Sequence, residues 1–382
     1  MAVIFYLNGT IDRDAKLTQG DPVYVEVRGL TSTPAKLYMR FNGVEFYRDV
    51  DGSADPSFWA MVPRLAPVGG VTITARAESV GGIGSTYNRS TTILAQTRPD
   101  EYNTGCRLPE EQLVSHPGGT INTPTDFVGR IFTAPLIPKA RCTFVDCVFR
   151  FTGNSGGTMV NNSAFCDFDY VDFDGRGSGG IKWALGASNI HANHIRIQGA
   201  MDGIRANTNV LIENSLVHNL VRYADYHPDC VQTTNANGVV LRNCTLDARE
   251  ANWDAVSEQY VLTGGYGNAA VQLGGETRDL SINEPGVVDF LMEGLYLRGG
   301  NYTVNARTDA APGPITMRDC TFYVERNPDG SVAKVYNAGK GVYEGASPRF
   351  GSFARPKDSV MPGWVVENCV EQDGRPITTR FW

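Results

Sequence analysis

From about residue 140 the apolar side chains of this chain recur in a figure that neither an α-helix nor a simple alternating strand produces. Take the small or apolar residue at Cys147, Val171, Ile195, Ser215, Cys244, Leu295, Cys320 and Cys369 as an anchor. Three places before it stand Phe144, Phe168, Ala192, Ile212, Leu241, Met292, Met317 and Val366. Five before it stand Cys142, Cys166, Ile190, Val210, Val239, Phe290, Ile315 and Trp364. Two after it stand Phe149, Phe173, Ile197, Val217, Leu246, Leu297 and Phe322, with Glu371 breaking the series in the last copy. The period-two parity therefore changes once, just before the anchor, and a strand changes parity only at a bend.

The residue at that bend is Asp146, Tyr170, His194, Asn214, Asn243, Gly294, Asp319 or Asn368. Most of these are Asn, Asp or Gly, the types that tolerate the left-handed backbone of a sharp corner. A corner that returns every twenty-odd residues predicts a right-handed parallel β-helix, because one coil cannot bury its apolar face and stacked coils can. Two anchor steps, Cys244 to Leu295 and Cys320 to Cys369, are about twice as long, and each is expected to hold about two coils.

Before this repeat, short alternating runs such as VYVEVRG from Val23, KLYMRFNG from Lys36, FWAMVPRL from Phe58 and VTITARAES from Val71 lie between Gly, Pro, Asp and Asn clusters. They predict an immunoglobulin- or fibronectin-like β-sandwich over 1–97. The expected division continues with a junction and cap over 98–139, the solenoid over 140–375 and a tail over 376–382. The fold class is all-β. With 42 Gly, 20 Pro and 20% charged residues in 382, the composition suits many short strands joined by turns.

Charge and cysteines narrow the chemistry. A formal charge of -7 with scattered Lys and Arg lacks the basic patch of a nucleic-acid binder. No apolar run is long enough for a membrane-spanning helix, and no secretory signal is evident at the start. The eight cysteines form no CxxC pair and fall mostly on the inward positions of the repeat, which predicts buried free thiols. No metal-ligand spacing and no cofactor motif occurs.

A second strand recurs as GIKWAL, DGIRAN, DCVQTT, AAVQLG and YTVNAR. With Ile181, Ile204, Val231, Val271 and Val304 inward, Lys182, Arg205, Gln232, Gln272 and Asn305 form an outward polar ladder on consecutive rungs. Asp202 and Asp229 hold one place on neighbouring rungs. Insertions before Asp229 and before AAVQLG bring Tyr223, Tyr226, His227, Trp253 and Tyr260 beside this face. Aromatic rings next to amides and carboxylates suit a sugar, which offers apolar faces and a rim of hydroxyls. Two close carboxyls with His227 nearby also supply the groups that acid–base cleavage of a glycosidic bond requires. Turn capping by the same aspartates is the plainer alternative, and a Ca²⁺ ion between them a third.

The run NTGCRLPEE, the corners IEN, LRN and MRD, and DGIRANTNVLIENSLVHNLVRYADYHPDCVQT resemble the right-handed β-helix proteins of the pectate-lyase-like superfamily. More narrowly they resemble the versions found as minor tail proteins and tail spikes of actinobacteriophages. In HPDCVQT, His227, Asp229 and Gln232 match a His then Asp-Gly-Ile-Gln pattern of such relatives, and Cys230 stands where they have glycine. The resemblance implies a virion protein, made in the host cytoplasm and assembled with other tail proteins as a homotrimer, that engages host cell-envelope polysaccharide. It leaves open whether that polysaccharide is bound only or also cleaved by a glycosidase or lyase, and whether the chain is instead a bacterial carbohydrate-active enzyme.

Overall fold

The computed structural model describes residues 2–7, 16–18, 22–28, 34–41, 44–49, 57–61, 68–79, 82–94, 98–150, 157–162, 164–176, 181–223, 227–233, 235–274, 286–300, 302–306, 313–323, 334–337, 342–345, 350–351, 363–372 and 376–377. The chain divides into two units, Met1–Thr97 with Gln372–Gly374, and Arg98–Glu371 with Arg375–Trp382.

The first unit is built from two sheets. Pro22–Arg28 pairs antiparallel with Ala2–Leu7 on one side and Ser57–Met61 on the other. The five-stranded sheet runs Leu17–Thr18, Gly82–Leu94, Gly69–Ser79, Pro34–Phe41, Val44–Asp49. The alternation read from the sequence sets which face is buried. Val23 and Val25, Leu37 and Met39, and Val71, Ile73 and Ala75 are all buried.

The second unit is a parallel β-helix of three sheets, each coil passing from the first sheet to the second and then the third. Its first sheet runs from Thr125–Val128 to Trp364–Glu367, and its second from Val114–His116 to Val370–Glu371. The third runs from Gly119–Ile121 to Phe350–Gly351. The predicted corner lies between the first and second sheets, and all eight of its residues have positive φ, from 47° at Asn243 to 62° at Gly294. Side-chain amides climb this edge: Asn243 donates to Asn214 at 2.7 Å, Asn214 to Asn193 at 2.8 Å and Asn193 to Asp169 at 3.0 Å. Each such bond satisfies a group that would otherwise compete for the backbone of its own corner.

The anchors Cys147, Val171, Ile195, Ser215, Cys244, Leu295, Cys320 and Cys369 are all buried. Around them two phenylalanine columns form, Phe127–Phe144–Phe168 and Phe132–Phe149–Phe173, with centroids 4.5–5.2 Å apart and ring planes within 13° of parallel. The rung spacing of a sheet is about 4.8 Å, so register alone brings like rings into offset stacking.

Two expectations about the coils are corrected. Thr245 pairs directly with Tyr296, and Thr321 with Val370, so each double-length step is one coil and not two. The surplus leaves the stack, as the antiparallel hairpin Arg249–Asp254 with Gln259–Tyr266 in one case and Lys334–Asn337 with Val342–Gly345 in the other. Coiling also starts before residue 140. Val114–His116 pairs with Arg130–Phe132, and Gly119–Ile121 with Leu136–Pro138. The corner of that early coil is Gly129, at φ 60°, which the Asn/Asp pattern does not mark. The segment before Val114 straps the second sheet. Arg107 grips Asp146 through two bonds of 2.8 and 2.6 Å, and the Cys106 N–H donates to Asp172 at 3.1 Å.

Candidate functional site

The third sheet carries the polar ladder. Arg205 pairs with Gln232, Gln232 with Gln272 and Gln272 with Asn305. Lys182 is not its first member. Leu185, not Ile181, aligns with Ile204, so the place below Arg205 belongs to Gly186. Ile181 and Leu185 are both buried apolar residues, and spacing alone does not choose between them. Lys182 instead stands exposed just ahead of the strand Trp183–Ala187.

These strands contain a second parity change. Consecutive residues are buried in each: Ala184–Leu185, Cys230–Val231, Ala270–Val271 and Thr303–Val304. The N–H groups of both Ala270 and Val271 reach the Thr303 oxygen, at 3.0 and 3.2 Å, as a bulge requires. The residues on either side of each inward pair consequently share the outer face, so Gln232 Nε2 can donate to Asp229 Oδ2 at 3.4 Å. Gly203 is the inward residue of its rung. A Cβ there would lie 2.5 Å from both the Cys230 backbone oxygen and Val217 Cγ1. Gly203→Ala is expected to cost about 1–3 kcal/mol, read as a lower urea midpoint at constant slope; an unchanged midpoint would place residue 203 outside the core.

Asp202 and Asp229 are 2% and 1% exposed. They come together as the sequence predicts, the Asp229 N–H donating to Asp202 Oδ1 at 3.0 Å. Asn268 Nδ2 donates both to Asp229 Oδ1 at 3.0 Å and to Gln272 Oε1 at 2.9 Å. Asn305 Nδ2 donates to the same Gln272 oxygen at 2.8 Å, and Gln272 Nε2 to the Gly274 oxygen at 2.9 Å. Burial raises the Asp202 carboxyl to about 7, against the pull of Arg205 and Lys182. Burial first, and the Asp202 charge second, lift Asp229 well above the usual carboxylate range. The pair therefore retains a proton near neutrality. Among the described residues no group of three or more His, Cys, Asp or Glu side chains is arranged to hold a metal ion, so a Ca²⁺ ion would have only these two carboxylates.

Other predicted residues part from this centre. Gln272 and Asn305 are buried and bonded to each other, which confines the accessible ladder to Arg205 and Gln232. His227 and Tyr223 are exposed, and His227 makes no bond to either carboxyl among the described residues. Tyr226 lies outside the described residues. Trp253 and Tyr260 belong to the hairpin and do not wall the groove with free rings. They pack edge to face at 5.0 Å, with the Tyr260 hydroxyl donating to Asp174 of the second sheet at 2.7 Å. Two residues of the site, Asn268 and Trp183, lie outside the pattern the sequence shows. Trp183 pairs with Asp202; the Arg205 guanidinium lies 4.5 Å and the Lys182 ammonium 4.8 Å from its ring centroid. Its indole N–H is buried beside the Asp202 carboxyl and, by hydrogen bonding to it, favours the charged form. Spacing does not mark Trp183, because it comes beside Asp202 only in the register that aligns Leu185 with Ile204.

The assembled face thus joins a proton-holding carboxyl pair, an amide chain and a cation-flanked indole across five successive rungs, from that of Trp183 to that of Asn305. Comparison with known proteins returned no matching family model, curated protein or solved structure.

Proposed function

We propose that this chain is a bacteriophage tail protein, a minor tail or tail-spike component, that binds cell-envelope polysaccharide of its host on the third sheet of the β-helix. The observation that carries the reading is the run of outward polar groups across consecutive rungs, Arg205 and Gln232 beside Trp183 with Asp202 and Asp229 beneath. Such a row matches the repeat of a polymer whose hydroxyls return at regular spacing. In this reading the first unit is an immunoglobulin-like sandwich that attaches to the tail, and the solenoid is of the right-handed pectate-lyase-like kind and trimeric. The free thiols, seven of them buried, support synthesis in a reducing cytoplasm.

Titration calorimetry with purified host-envelope polysaccharide tests the binding. Arg205→Ala and Gln232→Ala are each expected to weaken it about tenfold, or about 1.4 kcal/mol. Equal affinity of both variants and the parent would remove the site. Mass spectrometry of purified virions tests the placement, and absence of the polypeptide there favours a bacterial enzyme.

A second reading is favoured by one observation, the carboxyl held near 7 beside another carboxyl. That pair offers an acid and a base for glycosidic cleavage, making the protein a depolymerase. Release of reducing ends or unsaturated sugar from the same polysaccharide, abolished by Asp229→Asn, supports it; no release leaves adhesion alone.

A further inference from the structure

The amide chain beside the carboxyls can run in only one sense. The Gly274 backbone oxygen only accepts, so the Gln272 atom bonded to it at 2.9 Å is the amide nitrogen. Gln272 Oε1 then faces Asn268 and Asn305, which must both present nitrogen to it. The remaining Asn268 hydrogen points at Asp229 Oδ1, 3.0 Å away. Oδ1 of Asp229 is thereby a fixed acceptor. The same holds for Oδ1 of Asp202, which takes the Asp229 backbone N–H.

Gln232 differs from Gln272. Its only hydrogen bond among the described residues is the 3.4 Å contact with Asp229 Oδ2, and it is half-buried with one edge toward solvent. No backbone group dictates which end of its amide faces inward. We propose that Gln232 determines what this face binds and that Asn268 positions it: Asn268 keeps any proton off Asp229 Oδ1, so the proton sits on Oδ2 and the Gln232 amide turns to match. With Oδ2 protonated, the Gln232 oxygen faces inward and accepts, and its N–H₂ is offered to the ligand. With Oδ2 ionised, the nitrogen turns inward and the oxygen is offered instead. The ladder then selects acceptor-bearing sugars, such as those with carboxylate or acetyl groups, in the first state and hydroxyl donors in the second. The charged groups around Asp229 are Asp202 on the preceding rung and, acting on Asp202, Arg205 and Lys182; on the following rung Asn268 and the Ala269 backbone N–H donate to the Asp229 carboxyl and carry no charge. The ligand class rests on the proposed glycan binding, but the coupling between Asp229 and Gln232 does not.

Side-chain amide NMR of the full chain labelled with ¹⁵N-glutamine and ¹³C-aspartate, followed from pH 5 to 9 without ligand, tests the coupling. The Gln232 amide signals are expected to move with the same midpoint as the Asp229 carboxyl, while those of Gln272, anchored on Gly274, stay still. Asp229→Asn is expected to abolish the movement. Asn268→Ala, which removes a donor to the charged form, is expected to raise the midpoint by about one pH unit. Gln232 signals that stay constant through the Asp229 titration, or that move unchanged in Asp229→Asn, overturn the proposal. A coupled titration in a protein that binds no polysaccharide would keep the coupling and remove the glycan reading.

Discussion

Phe149→Ala is expected to destabilise the solenoid by about 3–5 kcal/mol, more than any single surface change. Phe149 is fully buried. Its ring stacks on Phe132 at 4.5 Å and on Phe173 at 4.9 Å, each within 7° of parallel, and meets Phe144 edge-on at 5.5 Å. Truncation removes the transfer energy of the ring, leaves a cavity between two rungs, and deletes stacked pairs worth about 0.5–1.5 kcal/mol each. Because a solenoid is held by contacts between neighbouring coils, the loss falls on the interface between the coils of Phe132 and Phe173. Urea unfolding is therefore expected to show a lower midpoint and an early phase from the coils before Phe149. A difference below about 1 kcal/mol between parent and Phe149→Ala would deny the stack its energetic role.

Most of that column was legible in the sequence because its residues obey one local rule. Phe149 and Phe173 sit three places after the corner residues Asp146 and Tyr170, and a corner demands a residue that accepts positive φ, a property of the residue itself. Phe132 follows Gly129 in the same way but lies ahead of the marked repeat. The same logic placed Cys147, Cys244 and Cys320 together inside. Where position depends on which of two local choices the neighbouring coil favours, the sequence is silent. Ile181 and Leu185 are equally apolar, and only the packed rung beneath Ile204 selects Leu185, which moves Lys182 off the ladder. The bulge that puts two consecutive residues inward is set by paired backbone bonds to Thr303, so strict alternation could not show that Asp229, Asn268 and Gln232 share one outer edge. Asn268 lies one place ahead of the strand Ala269–Leu273, outside the repeated motif, with no periodicity to mark it. Trp253 and Tyr260 were misplaced for a longer-range reason: the hairpin folds back across earlier coils to reach Asp174, a partner 86 residues away in sequence from Tyr260.

The carboxyl pair should make stability fall as pH rises, opposite to the usual behaviour of aspartates. Burial lifts Asp202 from 3.8 to about 7, so between about pH 4 and 7 the folded chain holds a proton that the unfolded chain has released. Stability then declines across that window, by about 4 kcal/mol for Asp202 taken alone. Asp229, also raised, adds to the decline from about pH 4 upward. His218 works in the other direction. Burial lowers it from 6.5 to about 4, so the unfolded chain binds more protons than the folded one over roughly the same window, and stability rises with pH by about 3 kcal/mol. His218 offsets part of the carboxyl contribution in the parent up to about pH 6.5, where its own titration ends. A single stability profile therefore mixes the two. The difference between Asp202→Asn and the parent separates them. The amide keeps an oxygen to accept the Asp229 N–H and carries no charge, and it also relieves Asp229 of a neighbouring negative charge. Urea unfolding of both proteins from pH 4 to 8 is expected to show nearly equal stability at pH 4 and an increasing advantage for Asp202→Asn, reaching several kcal/mol by pH 8. A difference that stays constant across this range would mean that the carboxyls ionise as freely in the folded chain as in the unfolded one, and the site would hold no proton to offer a ligand.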